Sequence, residues 1–321
     1  IRLILEIGKQ RNLMNKRRIF TIGETIYDII FRNGKIEAGK AGGSMLNASV
    51  SLGRLGMNVV FISEVGSDDL GATIVKFLEE NGINTSFIQP FTEGKTPVAL
   101  AFLDENQNAN YTFYKHYPAI RLNQQLPEVS ENDIVLFGSF FSISPEVRLP
   151  VLKFIRKAKE AGAVIIYDPN IRKSHSHEVA AFFDMICENL SLAGIVRASH
   201  EDFEAIFGIS KPDEAFRVVK NHSDASLVFT KGGESVDVFS KGFEKKYMVP
   251  EIEVVSTIGA GDNFNAGIAF SLINQGIFRN DLANLSIEKW DNIISTGIRL
   301  SAEVCRSLDN YIPERAINNV K

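Results

Sequence analysis

Residues 254–270 read VVSTIGAGDNFNAGIAF, and the fold turns on what Gly259, Ala260, Gly261 and Asp262 do in the middle of them. An apolar, strand-like run precedes these four residues and a helix-like run follows. One reading is a plain turn. The other is an anion cradle, because small residues let an oxyanion approach backbone N–H groups, and a helix N-terminus adds unsatisfied donors and a positive dipole end. Asp262 would stand in the first helical turn, where its carboxylate could take the proton of a hydroxyl attacking phosphorus. Aspartate is also a routine N-cap, so this stretch alone leaves both readings open.

The surrounding chain supplies the context. The runs DIVLFGS (133–139), AVIIYDP (163–169), AGIVRAS (193–199) and SLVFTKG (226–232) read as buried strands, with helices expected at about 145–161, 175–190, 200–207 and 211–222. Two long helices, about 262–276 and 286–305, close the chain. Nearer the start, RRIFTIGE (17–24) is a first strand and NVVFISEVG (58–66) another. Between them, Ser44 to Leu55 has helical periodicity and stops at Gly56. DDLGATIVKFLEENG (68–82) is an amphipathic helix. Strands alternating with helices predict an α/β fold with a mostly parallel sheet covered on both faces, and ligands in such folds sit at the strands' carboxyl ends. Five strand ends carry polar or glycine-containing groups: Gly23-Glu24, Gly138-Ser139, Asp168-Pro169-Asn170, Ser199 and Thr230-Lys231-Gly232.

Two segments break the rhythm. TIYDIIFRNGKIEAGKAGG (25–43) carries an Asn33-Gly34 hairpin signal, and TPVALAFLD with ANYTFYKHY forms two strands joined by ENQN. These segments, about 26–40 and 95–117, predict a small separate β sheet that serves as a lid over the strand ends. Tyr111, Phe113 and Tyr117 share one face of the last strand, and Thr112, Tyr114 and His116 share the other. Lys115 reads as a solvated lysine that could reach a substrate. The first methionine is Met14, so residues 1–13 are expected to be an extension outside the fold, with one domain over 14–321.

Composition narrows the function. The 321 residues carry 35 Lys and Arg against 39 Asp and Glu, a net charge of −4. No broad basic surface follows, which sets nucleic acid aside as a main partner. No apolar run reaches the roughly 18 residues of a membrane span, so no membrane partner is expected. The two cysteines, Cys187 and Cys305, form no CxxC pair and suit a reducing, cytoplasmic setting. His175 and His177 lack a third ligand at zinc-site spacing. Rival phosphate motifs fail: the Gly94–Thr96 GKT lacks a glycine at Gln89, and GxGxxG from Gly259 ends on Phe264.

A second cluster, AGKAGGSMLNAS (38–49), opens a helix with Gly42 and Gly43 and places Asn47 one turn in. Paired glycines there bring ligand close to backbone, and Asn47 offers a donor and an acceptor to a hydroxyl. A tight turn with a buried polar residue explains the same residues. Asp28 could accept hydroxyl hydrogen bonds or face solvent.

With both clusters in view, the chain resembles the PfkB carbohydrate kinase family, the ribokinase-like sugar kinases. GGSMLNAS matches its first signature and STIGAGDNFNAG its second. The resemblance implies a ribokinase-like fold and MgATP-dependent phosphorylation of a sugar hydroxyl. It implies Asp262 as base and Gly259, Ala260 and Gly261 as anion hole. Asp28, Gly42, Gly43 and Asn47 fall on sugar-contacting positions, and Arg172 matches a basic residue facing the transferred phosphate. Ser199 and Asp202 fall where the family has an N-x-x-E motif, with Asp202 shortened enough to hold Mg²⁺ through water. Thr230, Lys231, Gly232 and Thr257 match nucleotide-binding positions. Ser256 replaces the aspartate that helps many relatives bind a monovalent cation, so no potassium requirement is carried over. The lid in many members forms a dimer interface, which implies a homodimer. Fructokinase is the first expectation for the activity, followed by 2-keto-3-deoxygluconate kinase and ribokinase. A non-catalytic sugar or nucleotide sensor on the same fold is the alternative outside enzymes.

Overall fold

The computed structural model describes residues 17–104, 109–171 and 176–320. The expected extension at 1–13, the ENQN link at 105–108 and Arg172 lie outside the described residues. A nine-stranded sheet in the order β13-β12-β11-β10-β9-β8-β1-β4-β5 forms the body, and a four-stranded sheet, β3-β2-β6-β7, stands apart from it. In the body β1 is Arg18–Ile22, β4 Asn58–Gly66, β5 Ile83–Phe91, β8 Ile134–Gly138, β9 Val164–Asp168, β10 Ile195–Ser199 and β11 Ser226–Lys231. These seven pair in parallel. β12 (Ser235–Ser240) and β13 (Phe243–Met248) turn antiparallel at one edge.

Strand residues alternate between two apolar layers, as a sheet buried on both faces requires. Ile19, Phe61, Leu136 and Ile166 face one layer. There α1 (Ser44–Arg54), α2 (Asp69–Glu80), α7 (Ala260–Asn274) and α8 (Ile287–Cys305) pack on them. Phe20, Ile62, Phe137 and Tyr167 face the other, covered by α3 (Pro145–Ala161), α5 (His200–Phe207) and α6 (Pro212–His222). A helix α4 (Ser176–Leu192) completes that side. Trp290, fully buried, stacks on Phe243 at 6.1 Å between ring centroids and has a packing role.

The segments expected to leave the body do form a small separate sheet. β2 (Ile26–Arg32) and β3 (Lys35–Gly42) form the hairpin, and Asn33 and Gly34 at its tip both have positive φ, 52° and 75°, the type I′ geometry the dipeptide favours. β6 (Lys95–Leu103) and β7 (Ala109–His116) complete it. One strand was not legible in the sequence. β5 was not expected, because Asn84, Thr85, Ser86 and Gln89 read as loop, yet as the edge of the large sheet it needs only one apolar side and has an irregular register against β4.

Candidate active site

α7 begins two residues earlier than periodicity suggests. Gly259 is its N-cap, with φ 80°, and Ala260, Gly261 and Asp262 are its first three helical residues. Only glycine takes that φ without penalty, and an added Cβ would also lie 2.2 Å from the Asn310 carbonyl oxygen. No side chain caps the helix. The Ala260 amide donates to the Thr257 carbonyl at 3.2 Å, and helix geometry leaves the amides of Gly261 and Asp262 without an intrahelical acceptor.

Asp262 is buried, at 9% exposure, yet opens onto a cavity of about 240 Å³. That is the size class of one small polar ligand, just under the usual range of about 300–1,000 Å³ for ligand sites. Ser44 donates to its Oδ1 at 2.6 Å and Asn47 Nδ2 to its Oδ2 at 2.8 Å. Both donors come from the first turn of α1, so the two sequence clusters meet on one carboxylate. The Asn47 Oδ1 is buried and has no partner among the described residues, an open acceptor beside the Asp262 carboxylate. Asp28, on β2, also lines the cavity and accepts from Asn310 Nδ2 at 3.0 Å.

The sequence-selected residues divide into three groups. Asp28, Gly43, Asn47, Gly259 and Asp262 line the cavity together, with Glu24, Lys115, Tyr111, Phe113, Phe140 and Phe141. Gly42 does not line it. A Cβ there would meet Asp28 Oδ2 at 2.1 Å, and one on Gly43, whose φ is 119°, would meet the Glu24 carbonyl at 2.2 Å. The glycine pair thus lets β3 close against the two acidic residues. Ser139 and Asn170, two non-glycine residues with positive φ (52° and 44°), also stand on the cavity wall at strand ends, where strained backbone tends to collect.

The second group lies behind the cradle. Arg197 donates from Nη1 to Asp168 Oδ2 and from Nη2 to Thr230 Oγ1, both at 2.9 Å. Asn265 Nδ2 donates to the same Asp168 oxygen at 2.5 Å. A Cβ on Gly261 would lie 2.7 Å from Arg197 Nη1, so this network touches the underside of the cradle. Ser199 and Asp202 form a capping box at the start of α5. Asp202 accepts the Ser199 N–H and hydroxyl on Oδ2 at 2.7 and 2.6 Å and the Ile171 N–H on Oδ1 at 2.7 Å. Burial first, and then the Asp168 charge, push its carboxyl up to about 6.

The third group is peripheral. Lys231 ends β11, Gly232 sits in the next turn with φ 52° and open space where a Cβ would go, and Thr257 is exposed before α7. None of them lines the cavity. Among the described residues no cluster of three or more His, Cys, Asp or Glu is poised for a metal, and the side chains of His175 and His177 lie outside them.

Sequence reading missed Arg197, Asn265, Ser44 and Asn310 as site residues, and placed Glu24 at a strand end without giving it a role. Arg197 and Glu24 had a legible signal, since each stands within two residues of a strand's carboxyl end. Asn310 had none, because its partner Asp28 is 282 residues away.

Known proteins share both sequence and architecture with this chain. It is 29% identical over 264 residues to the fructokinase of Rhizobium leguminosarum bv. trifolii, 79% of each chain. It is 24% identical over 261 residues to the aminoimidazole riboside kinase of Salmonella typhimurium, 81% of each. The crystal structure of a Vibrio cholerae fructokinase in fructose-, ADP- and calcium-bound form superimposes with a TM-score of 0.82 at 17% identity, over 95% of this chain and 99% of that one. That of aminoimidazole riboside kinase from Salmonella enterica, complexed with aminoimidazole riboside and an ATP analogue, gives 0.78 at 21%, over the same shares. These two structural likenesses speak for the ribokinase-like fold, while the sequence pattern of the pfkB family carbohydrate kinases runs through residues 16–288. A match over that much of its length settles the family: the chain belongs to the pfkB carbohydrate kinases, phosphotransferases that act on sugars.

Proposed function

We propose that this kinase uses MgATP to phosphorylate a hydroxyl of a neutral ketohexose, with D-fructose the first candidate. The observation that carries the reading is the position of Asp262, at one wall of a sugar-sized cavity, in the first turn of a helix whose N-cap Gly259 lines the same cavity. Asp262 takes the proton of the acceptor hydroxyl as that oxygen attacks the γ-phosphorus. Ser44 and Asn47 fix both carboxylate oxygens, so the base is held in one orientation before substrate arrives. The Gly261 and Asp262 amides, at the positive end of α7, receive the charge that develops on the transferred group, with Gly259 and Ala260 shaping the loop. Asp28, Gly43 and Asn47 hold the sugar, and Gly42 closes β3 on Asp28.

ATP is assigned to Lys231, Gly232 and Thr257, with Thr230 behind them bonded to Arg197, and Arg172, outside the described residues, is assigned to the transferred phosphate. Arg197 steadies the floor between Asp168 and Thr230. Mg²⁺ neutralises phosphate charge when bound. Both Asp202 oxygens already accept protein hydrogen bonds, so Asp202 would hold the ion through water, with Ser199 fixing the carboxylate. No monovalent cation is assigned, in line with Ser256. The lid excludes water, which otherwise competes as acceptor.

Two further parts of the reading concern setting. A homodimer through the lid is supported by the register of the small sheet. It places Phe102 and Tyr114, 42% and 60% exposed, on the face opposite to Tyr111 and Phe113. A monomeric mass by light scattering at micromolar concentration would remove it. A cytoplasmic setting is supported by two free cysteines, one of them buried.

The test is ADP release with MgATP against a panel: D-fructose, D-ribose, 2-keto-3-deoxygluconate and aminoimidazole riboside. Fructose is expected to give the highest kcat/KM. The last compound is included because the Salmonella relative is named for it. Tight sugar binding without ADP from any compound would favour a sensor.

A further inference from the structure

We propose that the ion pair between Glu24 and Lys115 makes the sugar pocket select uncharged acceptors and reject sugar acids. This rests on the kinase reading and names the substrate class of the same site. Among the described residues, the cavity wall carries three carboxylates, Glu24, Asp28 and Asp262, and a single cation, Lys115. That cation is already engaged. Its Nζ lies 2.8 Å from Glu24 Oε1 and 2.9 Å from Oε2.

The pairing is built into the fold. Glu24 follows β1 in the body, and Lys115 is on β7 of the lid. Tyr117 donates a second hydrogen bond to Glu24. Behind it, Arg121 stacks its guanidinium 3.6 Å from the Tyr117 ring centroid and pairs with Glu64. Arg121 and Glu64 are 8% and 2% exposed, so the next cation is neutralised as well. Positive and negative groups alternate from the pocket wall inward, and no described cation lining the cavity is left over for a ligand carboxylate.

Among the described residues lining the cavity, a sugar acid would therefore meet three carboxylates and no spare counter-ion, or would have to pull Lys115 from Glu24. A hydroxyl meets no such penalty, because Glu24, Asp28 and the Asn47 Oδ1 all accept hydrogen bonds. Like charge placed against an unwanted ligand is a common route to specificity, and a lysine released from its partner is a ready carboxylate binder.

The test compares kcat/KM with MgATP for the better of D-fructose and D-ribose against 2-keto-3-deoxygluconate. Wild type is expected to prefer the neutral sugar. Glu24→Gln keeps the length and an acceptor for Tyr117 but removes the charge, and is expected to shift the ratio toward the acid by about tenfold or more. Adding Lys115→Met to that variant should abolish the shift. A wild type that prefers the acid, or a Glu24→Gln ratio within about twofold of wild type, overturns the proposal. The same ratio read as dissociation constants by titration calorimetry judges the pair independently of turnover, whereas absence of ADP from every compound counts against the kinase reading alone. If Glu24→Gln does not fold, Lys115→Met alone is read instead: it leaves Glu24 uncompensated and should lower use of the acid further, and a rise would overturn the proposal.

Discussion

Asn47 and Asp262 lie 215 residues apart and are joined by a 2.8 Å hydrogen bond from Nδ2 to Oδ2. The bond ties the first turn of α1 to the first turn of α7, so the two glycine-opened helix starts share one carboxylate. Removing that carboxylate's charge should remove chemistry and spare binding. Asp262→Asn is expected to lose about 10²–10⁴-fold in kcat, with sugar affinity by calorimetry close to wild type. Near-normal turnover would take Asp262 out of the role of base.

Asn47 acts twice, as a donor to the base and through an unpartnered Oδ1. Asn47→Ala removes a hydrogen bond to a charged group, worth about 1.5–3 kcal/mol, together with a waiting acceptor. The expected result is a fall of about 10–100-fold in kcat/KM, shared between a higher sugar KM and a lower kcat. Ser44→Ala removes only an orienting donor, so its effect should fall on kcat with KM for the sugar little changed.

Gly259 sits at φ 80° against the Asn310 carbonyl, with 2.2 Å available to a Cβ. A non-glycine residue held there costs about 1–3 kcal/mol from backbone strain alone, before the clash. Gly259→Ala should lower the melting temperature and also cut kcat, because relief comes only by moving the start of α7. An alanine variant with wild-type melting and turnover would show that the cradle does not need this geometry.

The buried Asp202 carboxyl gives a pH signature. Its value is raised from 3.8 to about 6 by burial and the neighbouring Asp168, so the folded chain holds this proton more tightly than the unfolded chain does. Its contribution to stability is full below pH 3.8 and is lost as pH rises through about 6. Without nucleotide or divalent ion, the melting temperature of wild type relative to Asp202→Asn should fall between about pH 4 and 6.5 and level off above. A difference that grows with pH would mean that the fold prefers the ionised form.

Much of the fold was legible because its signals are local. Alternation of Ile19 and Phe20, or Leu136 and Phe137, between two apolar layers follows from strand geometry alone. The Asn33-Gly34 turn and the Gly259 helix start follow from the few backbone shapes that such residues favour. β5 escaped because an edge strand carries half the apolar pattern of a central one. The site was legible as two clusters, but Gly42 was read as contacting ligand when it lets β3 approach Asp28.

The sequence by itself determined the order of strands and helices apart from β5, the small separate sheet, the glycine-rich start of α7 and the acid within it. All of these depend on residue type and spacing within one or two turns of chain. Tertiary structure alone decided who faces whom: Asn47 with Asp262, Asn310 with Asp28 across 282 residues, and Lys115 with Glu24 across 91. The reason is physical. Pairing between distant side chains depends on strand order and register, which arise from the packing of the whole sheet, and a lysine that looks solvated in the sequence becomes part of a pocket wall once β7 lies over the end of β1.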